Sequence, residues 1–489
     1  MKRRKFLKTT AAAGCAWSGL FGYAMPGVEA FGTGGGIDIA EALMLIEQRK
    51  QHNLTPEIRP EIRDNPRAVF IIDTHVEATR DDRGFFSDAR SQLEEAGKQA
   101  ARQVFVKGSR KGGSTIIRPN FTDVPDPVLS PVCGINTSCD FIGGFTDSLR
   151  EMGNTNVIAG SRGGGVVTHR RNGIYDAFDR HGLDLIEAKY RRFQHYGKNE
   201  LNWHEVRGKA MVQKRFPTYR PIGDEDCFFI NMPKLKCHNL GLTTLSIKNL
   251  QGAVPTGYGH YCNNWATMEY LCKRSYLINF RRDFVKNYYR NVEAAFLKHR
   301  DMGYKHWDVE GTYAMYEKKG GWEAFRKIKD DIRAVEEFLK GVPKPFVDDE
   351  DFQSSVPGVL MWDEQWCQRA IDSALAITPD INIIEGIIGR DGSGFDTGRD
   401  ELCNYVVIGL SMTEVDAIGT WIMGHDPREL FYTRIAKERG LGECNPEKIT
   451  VYFIRNGEIT PMRDLSELRR YKLGVNLHTW KETGKRLFW

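Results

Sequence analysis

The stretch Cys227-Phe228-Phe229-Ile230-Asn231-Met232-Pro233-Lys234-Leu235-Lys236-Cys237-His238 holds the clearest statement of this chain's architecture. Cys227–Asn231 is a short apolar run with aromatic and β-branched residues, the signature of a buried strand. Pro233 cannot donate to a ladder and closes the run, and Lys234 and Lys236 follow at its carboxyl end. Open α/β sheets bind their ligands outside the carboxyl ends of the strands. The stretch therefore predicts a central strand feeding a polar loop at a ligand-binding edge.

Working outward, the same pattern recurs. Strands are expected at Ala68–Ile72, Ser114–Arg118, Asn156–Ala159, Ile381–Ile388 and Tyr405–Leu410. Helices are expected at Ser87–Val106, with Ser87 as N-cap, at Gly143–Met152 and at Ile174–His181. Alternating strands and helices predict an α/β fold with a mainly parallel central sheet and helices on both faces. The core domain is expected over 66–268 and 345–460. Residues 269–344, rich in Lys, Arg, Asp and Tyr, carry Phe284, Tyr288, Val292 and Phe296 near helical spacing and predict a helical insertion. A surface-bound N-terminal arm (31–65), with a short helix around Ile39–Gln51, and a C-terminal tail (461–489) complete the division.

The first thirty residues have the three-part layout of an export signal. Arg3 and Arg4 precede Phe6, Leu7 and Lys8, a small and apolar stretch runs from Thr9 to Met25, and Val28-Glu29-Ala30 offers a cleavage site. The paired arginines point to the twin-arginine route. The expectation is a folded protein handed to the twin-arginine translocase and working in the periplasm or another extracytoplasmic space. The later chain has no apolar run of the roughly 18 or more residues that a membrane span needs, so no span is expected after processing. The net charge of +5 draws four of its charges from the signal, where Lys2, Arg3, Arg4, Lys5 and Lys8 face only Glu29. The remainder is nearly neutral, which excludes nucleic acid as a general partner. Hydrophobic residues at 41% suffice for a large packed core.

Of the ten cysteines, Cys15 lies in the signal, and an odd number remains, so pairing cannot be complete within one chain. Cys133 and Cys139 are the local candidate for a disulfide in an oxidising compartment. No Cys-x-x-Cys occurs, which excludes thioredoxin-type chemistry, a covalent haem and a ferredoxin-type cluster run.

Three segments carry the chemistry. The densest runs from Lys234, Lys236, Cys237 and His238 through Lys248 and Asn249 to His260 and Cys262. Its lysines can neutralise an anion, and its histidines can accept a proton near neutral pH. Cys237, His238, His260 and Cys262 offer the four nitrogen and sulfur ligands of a tetrahedral site, although their spacing follows no standard zinc pattern. Neighbours on an extended chain point opposite ways, so at most one of Cys237 and His238 can face a given site. The second segment, Arg118-Pro119-Asn120, leaves a strand at the same edge. The third runs from Glu385-Gly386 through Asp391, Gly392 and Gly394 to Gly398, where glycines let backbone amides approach an anion. It is neither a P-loop nor a GxGxxG fingerprint, so nucleotide binding is not indicated.

Arg118-Pro119-Asn120, Met232-Pro233-Lys234-Leu235-Lys236-Cys237-His238, Lys248-Asn249-Leu250-Gln251-Gly252, His260, Asp391-Gly392-Ser393-Gly394 and Val415-Asp416-Ala417, in that order, resemble the domain-of-unknown-function family numbered 362. The resemblance runs from about residue 68 to 455. The chain differs in carrying Arg118 where the family usually has Lys, and it lacks the ferredoxin-like segment of many relatives. That absence removes the basis for borrowing their electron-transfer role. The resemblance implies that the polar segments form one site, and it implies no reaction.

Three functions follow as expectations. The first is an enzyme acting on a small anionic molecule, bound by Arg118, Asn120, Lys234, Lys248, Asn249, Gly392 and Gly394. In it His238, His260 or Lys236 moves a proton, with Asp391 or Asp416 orienting a base or binding a metal. The second is a redox protein holding a metal ion or iron–sulfur cluster on Cys237, His238, His260 and Cys262. The third is a non-catalytic protein that captures an anionic ligand in the same crevice.

Overall fold

The polypeptide alternates between extended and helical segments as its periodicity demands, and the strands assemble into one large mixed sheet. A computed structural model describes residues 36–82, 84–122, 132–161, 169–170, 173–188, 199–211, 214–238, 242–255, 367–392 and 398–474. The export signal, the expected helical insertion at 269–344, His260, Cys262 and Gly394 lie outside these residues.

The strands, in chain order, are β1 (Glu57–Ile58), β2 (Val69–Asp73), β3 (Phe105–Val106), β4 (Ser114–Pro119), β5 (Val157–Ser161), β6 (Leu185–Glu187), β7 (Leu201–Glu205), β8 (Arg215–Tyr219), β9 (Cys227–Met232), β10 (Lys234–His238), β11 (Leu242–Thr244), β12 (Ile381–Arg390), β13 (Asp400–Gly409), β14 (Val451–Arg455) and β15 (Glu458–Pro461). The main sheet runs β15-β14-β2-β13-β12-β9-β4-β5-β6, with β10 and β11 joined through β12. The pairs β14–β2, β12–β9, β9–β4, β4–β5, β5–β6 and β10–β12 are parallel, whereas β13 runs antiparallel between β12 and β2. The expected α/β fold with a mostly parallel sheet is the fold observed. All ten residues of β12 are buried, as its near-continuous apolar run requires of a strand covered on both faces.

Period-two alternation divides the core in two. Val69, Ile71, Ile116 and Ile384 face one layer with the helices α1 (Ile39–Arg49), α8 (Met412–Ile422) and α9 (Phe431–Glu438). Phe70, Ile72, Ile117 and Ile383 face the other layer, with α3 (Arg90–Val104), α4 (Cys139–Glu151) and α5 (Ile174–Arg180). Between these in chain order stand α2 (Pro60–Arg63), α6 (Ser246–Asn249) and α7 (367–376). The N-terminal arm is more than a surface strap. Asp38 caps α1, whose Ile39, Ala42 and Ile46 enter the core, and Ile37 bridges Ile186 and so covers the edge strand β6. Likewise Leu468, Tyr471 and Leu473 of the expected tail pack into the core.

Three local expectations are corrected. Ser87 does not cap α3; its hydroxyl donates to Asp81 Oδ2 at 2.5 Å in a 3₁₀ turn before the helix. Cys133 and Cys139 do not pair. Both are buried free thiols, Cys133 accepting N–H groups from Ile135 and Asn136 and Cys139 opening α4. Finally, Lys234–His238 is a strand and not a loop. Pro233 interrupts β9, the chain continues along the outer half of β12, and Glu385 N–H donates to Pro233 O at 2.9 Å. Thus one long strand serves β9 at its start (Ile381↔Ile230) and β10 farther on (Lys234↔Glu385, Lys236↔Arg390).

Candidate functional site

Because β10 alternates, Leu235 and Cys237 enter one core layer while Lys234, Lys236 and His238 share the opposite face, all three buried. Cys237 Sγ donates to Leu473 O at 3.1 Å. It faces away from His238, so at most one of the two can belong to the expected metal site.

The two lysines differ in their partners. Lys234 Nζ pairs with Glu385 Oε2, and both side chains are fully buried. Glu385 Oε2 also accepts from Ser138 N–H at 3.1 Å, at the start of α4, and Oε1 accepts from Ile387 N–H at 3.1 Å. Lys234 is therefore a fixed structural counterion. Lys236, 2% exposed, donates to Ile135 O at 2.6 Å, and no carboxylate among the described residues forms an ion pair with it. Burial holds its amine well below the usual lysine range, and the charges of Lys248, Arg390 and Lys234 push in the same direction. A second buried pair, Arg390 Nη1 to Asp400 Oδ1 at 2.7 Å, closes the outer end of β12.

On the other face an asparagine chain ties the strand ends together. Asn120 Nδ2 donates to Asn249 Oδ1 (3.0 Å), Asn249 Nδ2 to Asn231 Oδ1 (2.8 Å) and to Arg118 O (2.9 Å), and Asn231 Nδ2 to Asn382 Oδ1 (2.9 Å). Asn120 and Asn249, expected to bind substrate, thus hold β4, α6, β9 and β12 in register. Asn120 keeps one buried atom, Oδ1, without a hydrogen-bond donor. The Lys248-Asn249-Leu250-Gln251-Gly252 motif also has a steric reason. A Cβ at residue 252 would stand 1.4 Å from Arg118 Nη2, so only glycine leaves room for the guanidinium.

Asp416 supports this helix. Its carboxylate accepts Ser246 N–H at 2.6 Å and Ile247 N–H at 3.0 Å, capping the turn that carries the half-buried Lys248. Burial pushes Asp416 up to about 7, against those two hydrogen bonds. Its position makes it a positioning residue. Asp391 is likewise occupied locally, its Oδ1 accepting from Arg399 N–H across the β12–β13 turn, while Gly392 N–H donates to Gly474 O at 2.7 Å.

One group escaped the sequence reading. His169 Nδ1 lies 2.8 Å from Glu187 Oε1, which also accepts the Tyr175 hydroxyl at 2.5 Å. His169 is fully buried and its Nε2 makes no hydrogen bond among the described residues. Glu187 ends β6 opposite Ser161 of β5, and the His169 ring stands edge-on to Phe121, next to Asn120. The only hint in the sequence was a histidine after a glycine-rich turn, because the carboxylate that orients it comes eighteen residues later. A histidine with one nitrogen committed to a carboxylate and the other open can accept a proton or meet a ligand's donor.

Comparison with known proteins adds a family without a chemistry. No curated protein matches the chain, and no solved structure matches it. Residues 115–421 match the domain of unknown function DUF362, a span that contains β4 from its second residue, β9, β10, α6, β12, Asp416 and His169. With that match covering more than half of the sequence, the chain belongs to the DUF362 family.

Proposed function

We propose that this chain is an enzyme, exported by the twin-arginine route, that binds a small anionic molecule at the carboxyl ends of β4, β9 and β10 and moves a proton on it. The observation that carries this reading is Lys236, a buried amine that donates to a backbone carbonyl and forms no ion pair with a carboxylate among the described residues. An incoming anion would supply the missing counter-charge in a low-dielectric setting where it counts most. Lys248 on the facing helix adds to the same positive field. Arg118 reaches the same edge from β4.

Two buried acceptors without donors among the described residues, Asn120 Oδ1 and His169 Nε2, call for a donor from outside, which a hydroxyl or protonated oxygen carried by the anion would supply. His169, oriented by Glu187, is the proton acceptor we favour, with His238 and His260 as the sequence-based alternatives. The opposite facing of Cys237 and His238, which leaves at most three of the four expected ligands, weighs against the metal or iron–sulfur reading.

The test is calorimetric titration of the mature protein with phosphate, citrate and 2-oxo acids. An anion that binds the wild type should lose about 10- to 100-fold in affinity in Lys236→Met, the value of one charge-assisted hydrogen bond. Unchanged affinity in that variant for every anion bound would sink the proposal. The export reading is checked by fractionation, with Arg3→Lys/Arg4→Lys expected to leave the protein in the cytoplasm.

A further inference from the structure

We infer that Glu94, Asp147 and His181 form a second site, independent of the strand ends, that takes a borderline divalent cation of the zinc class. Glu94 lies on α3, Asp147 on α4, and His181 follows the last residue of α5. One ligand atom from each falls within 4.8 Å of the others. His181 Nδ1 is 2.8 Å from Asp147 Oδ2, which fixes the proton there and presents Nε2 as a lone-pair donor. Nε2 belongs to a side chain only 7% exposed, makes no hydrogen bond among the described residues, and lies 3.8 Å from Glu94 Oε2. That gap is too long for a hydrogen bond and close to what two ligands of one metal span, at about 2.0–2.2 Å per bond.

The carboxylates are arranged for this division. Glu94 Oε1 accepts from Lys98 Nζ at 2.8 Å and Asp147 Oδ1 pairs with Arg150 Nη1 at 3.6 Å, so each carboxylate has its other oxygen toward the imidazole. Two adjacent glycines of α4 clear the space. A Cβ at Gly143 would meet His181 Cδ2 at 2.2 Å, and one at Gly144 would meet Glu94 O at 1.9 Å. Glycine weakens a helix relative to alanine, and here it lets both ligands come against the helix. One nitrogen and one or two carboxylate oxygens suit zinc or manganese better than a soft ion. Lys98 and Arg150 already offset the acidic charge, so the site should be weak, with Asp147 acting chiefly by orienting His181.

The test uses the full mature protein, stripped by chelator and titrated with zinc alone by calorimetry and with cobalt alone by absorption. We expect one ion per chain, a cobalt spectrum of nitrogen and oxygen ligands, loss of this binding in His181→Asn and Glu94→Gln, and about 10- to 100-fold weaker binding in Asp147→Asn. Glu94 is partly exposed, so its variant should fold even where the histidine variant does not, and circular dichroism checks both. No zinc bound at millimolar concentration would overturn the assignment. So would a thiolate charge-transfer band from cobalt, or affinity unchanged by Glu94→Gln.

Discussion

The first and the middle residue of β10 present the same chemistry in opposite settings. Lys234 and Lys236 lie on one face, two residues apart and both buried, yet one meets a buried carboxylate and the other a carbonyl. The difference teaches that burial alone does not mark a functional lysine. A buried charge with a partner is a strut, and replacing the partner by a neutral acceptor turns the same side chain into a site awaiting an anion.

Substitutions can break this comparison, and the largest effect belongs to the strut. Lys234→Met or Glu385→Gln leaves one buried charge uncompensated and should cost about 3–5 kcal/mol in urea unfolding. The asparagine chain should follow. Asn249→Ala strips partners from Asn120 Nδ2, Asn231 Oδ1 and Arg118 O, and a loss of about 1–3 kcal/mol is expected.

A pH series sharpens the role of the capping carboxylate. The folded-state pKa of Asp416, about 7, lies above its unfolded value near 3.9, so the folded protein binds the proton more tightly. The associated stability is fully present below about pH 4 and is lost as pH rises toward 7. Relative to Asp416→Asn, the wild type should therefore lose Tm between pH 5 and pH 8, with little further change above. A constant Tm difference across that range would show that Asp416 stays ionised throughout. The smallest stability effect should come from Lys236→Met, within about 1 kcal/mol of wild type, because removing an ammonium without a carboxylate partner also removes a desolvation cost. If Lys236→Met destabilises as much as Lys234→Met, the two lysines of β10 are alike and the contrast fails.

Much of this was legible locally. Apolar runs such as Cys227–Asn231 and Ile381–Ile388 announced their strands, and the alternation after Pro233 already implied that Cys237 and His238 part company. The strand nature of Lys234–His238 was hidden because its polar residues face a buried interior, and a polar strand reads as a loop until its counterions are known. For Asp391 and Gly392 the local pattern is ambiguous, because turn chemistry and anion-binding loops draw on the same residues. His169 was passed over because its partner Glu187 and the Tyr175 hydroxyl converge on it only when β6 and α5 have packed.

The sequence by itself determined the strands and helices, the two-faced core, the family and the gathering of Arg118, Lys234, Lys236 and Lys248 near strand ends, since each rests on short-range periodicity or on motif order. Only the tertiary structure decided which lysine is neutralised. Glu385 reaches Lys234 across 151 residues through the parallel register of β10 on β12, whereas Lys236 stands opposite Arg390. Electrostatic environment is set by distance in space, and the parallel crossover that creates that proximity leaves no trace in the local pattern.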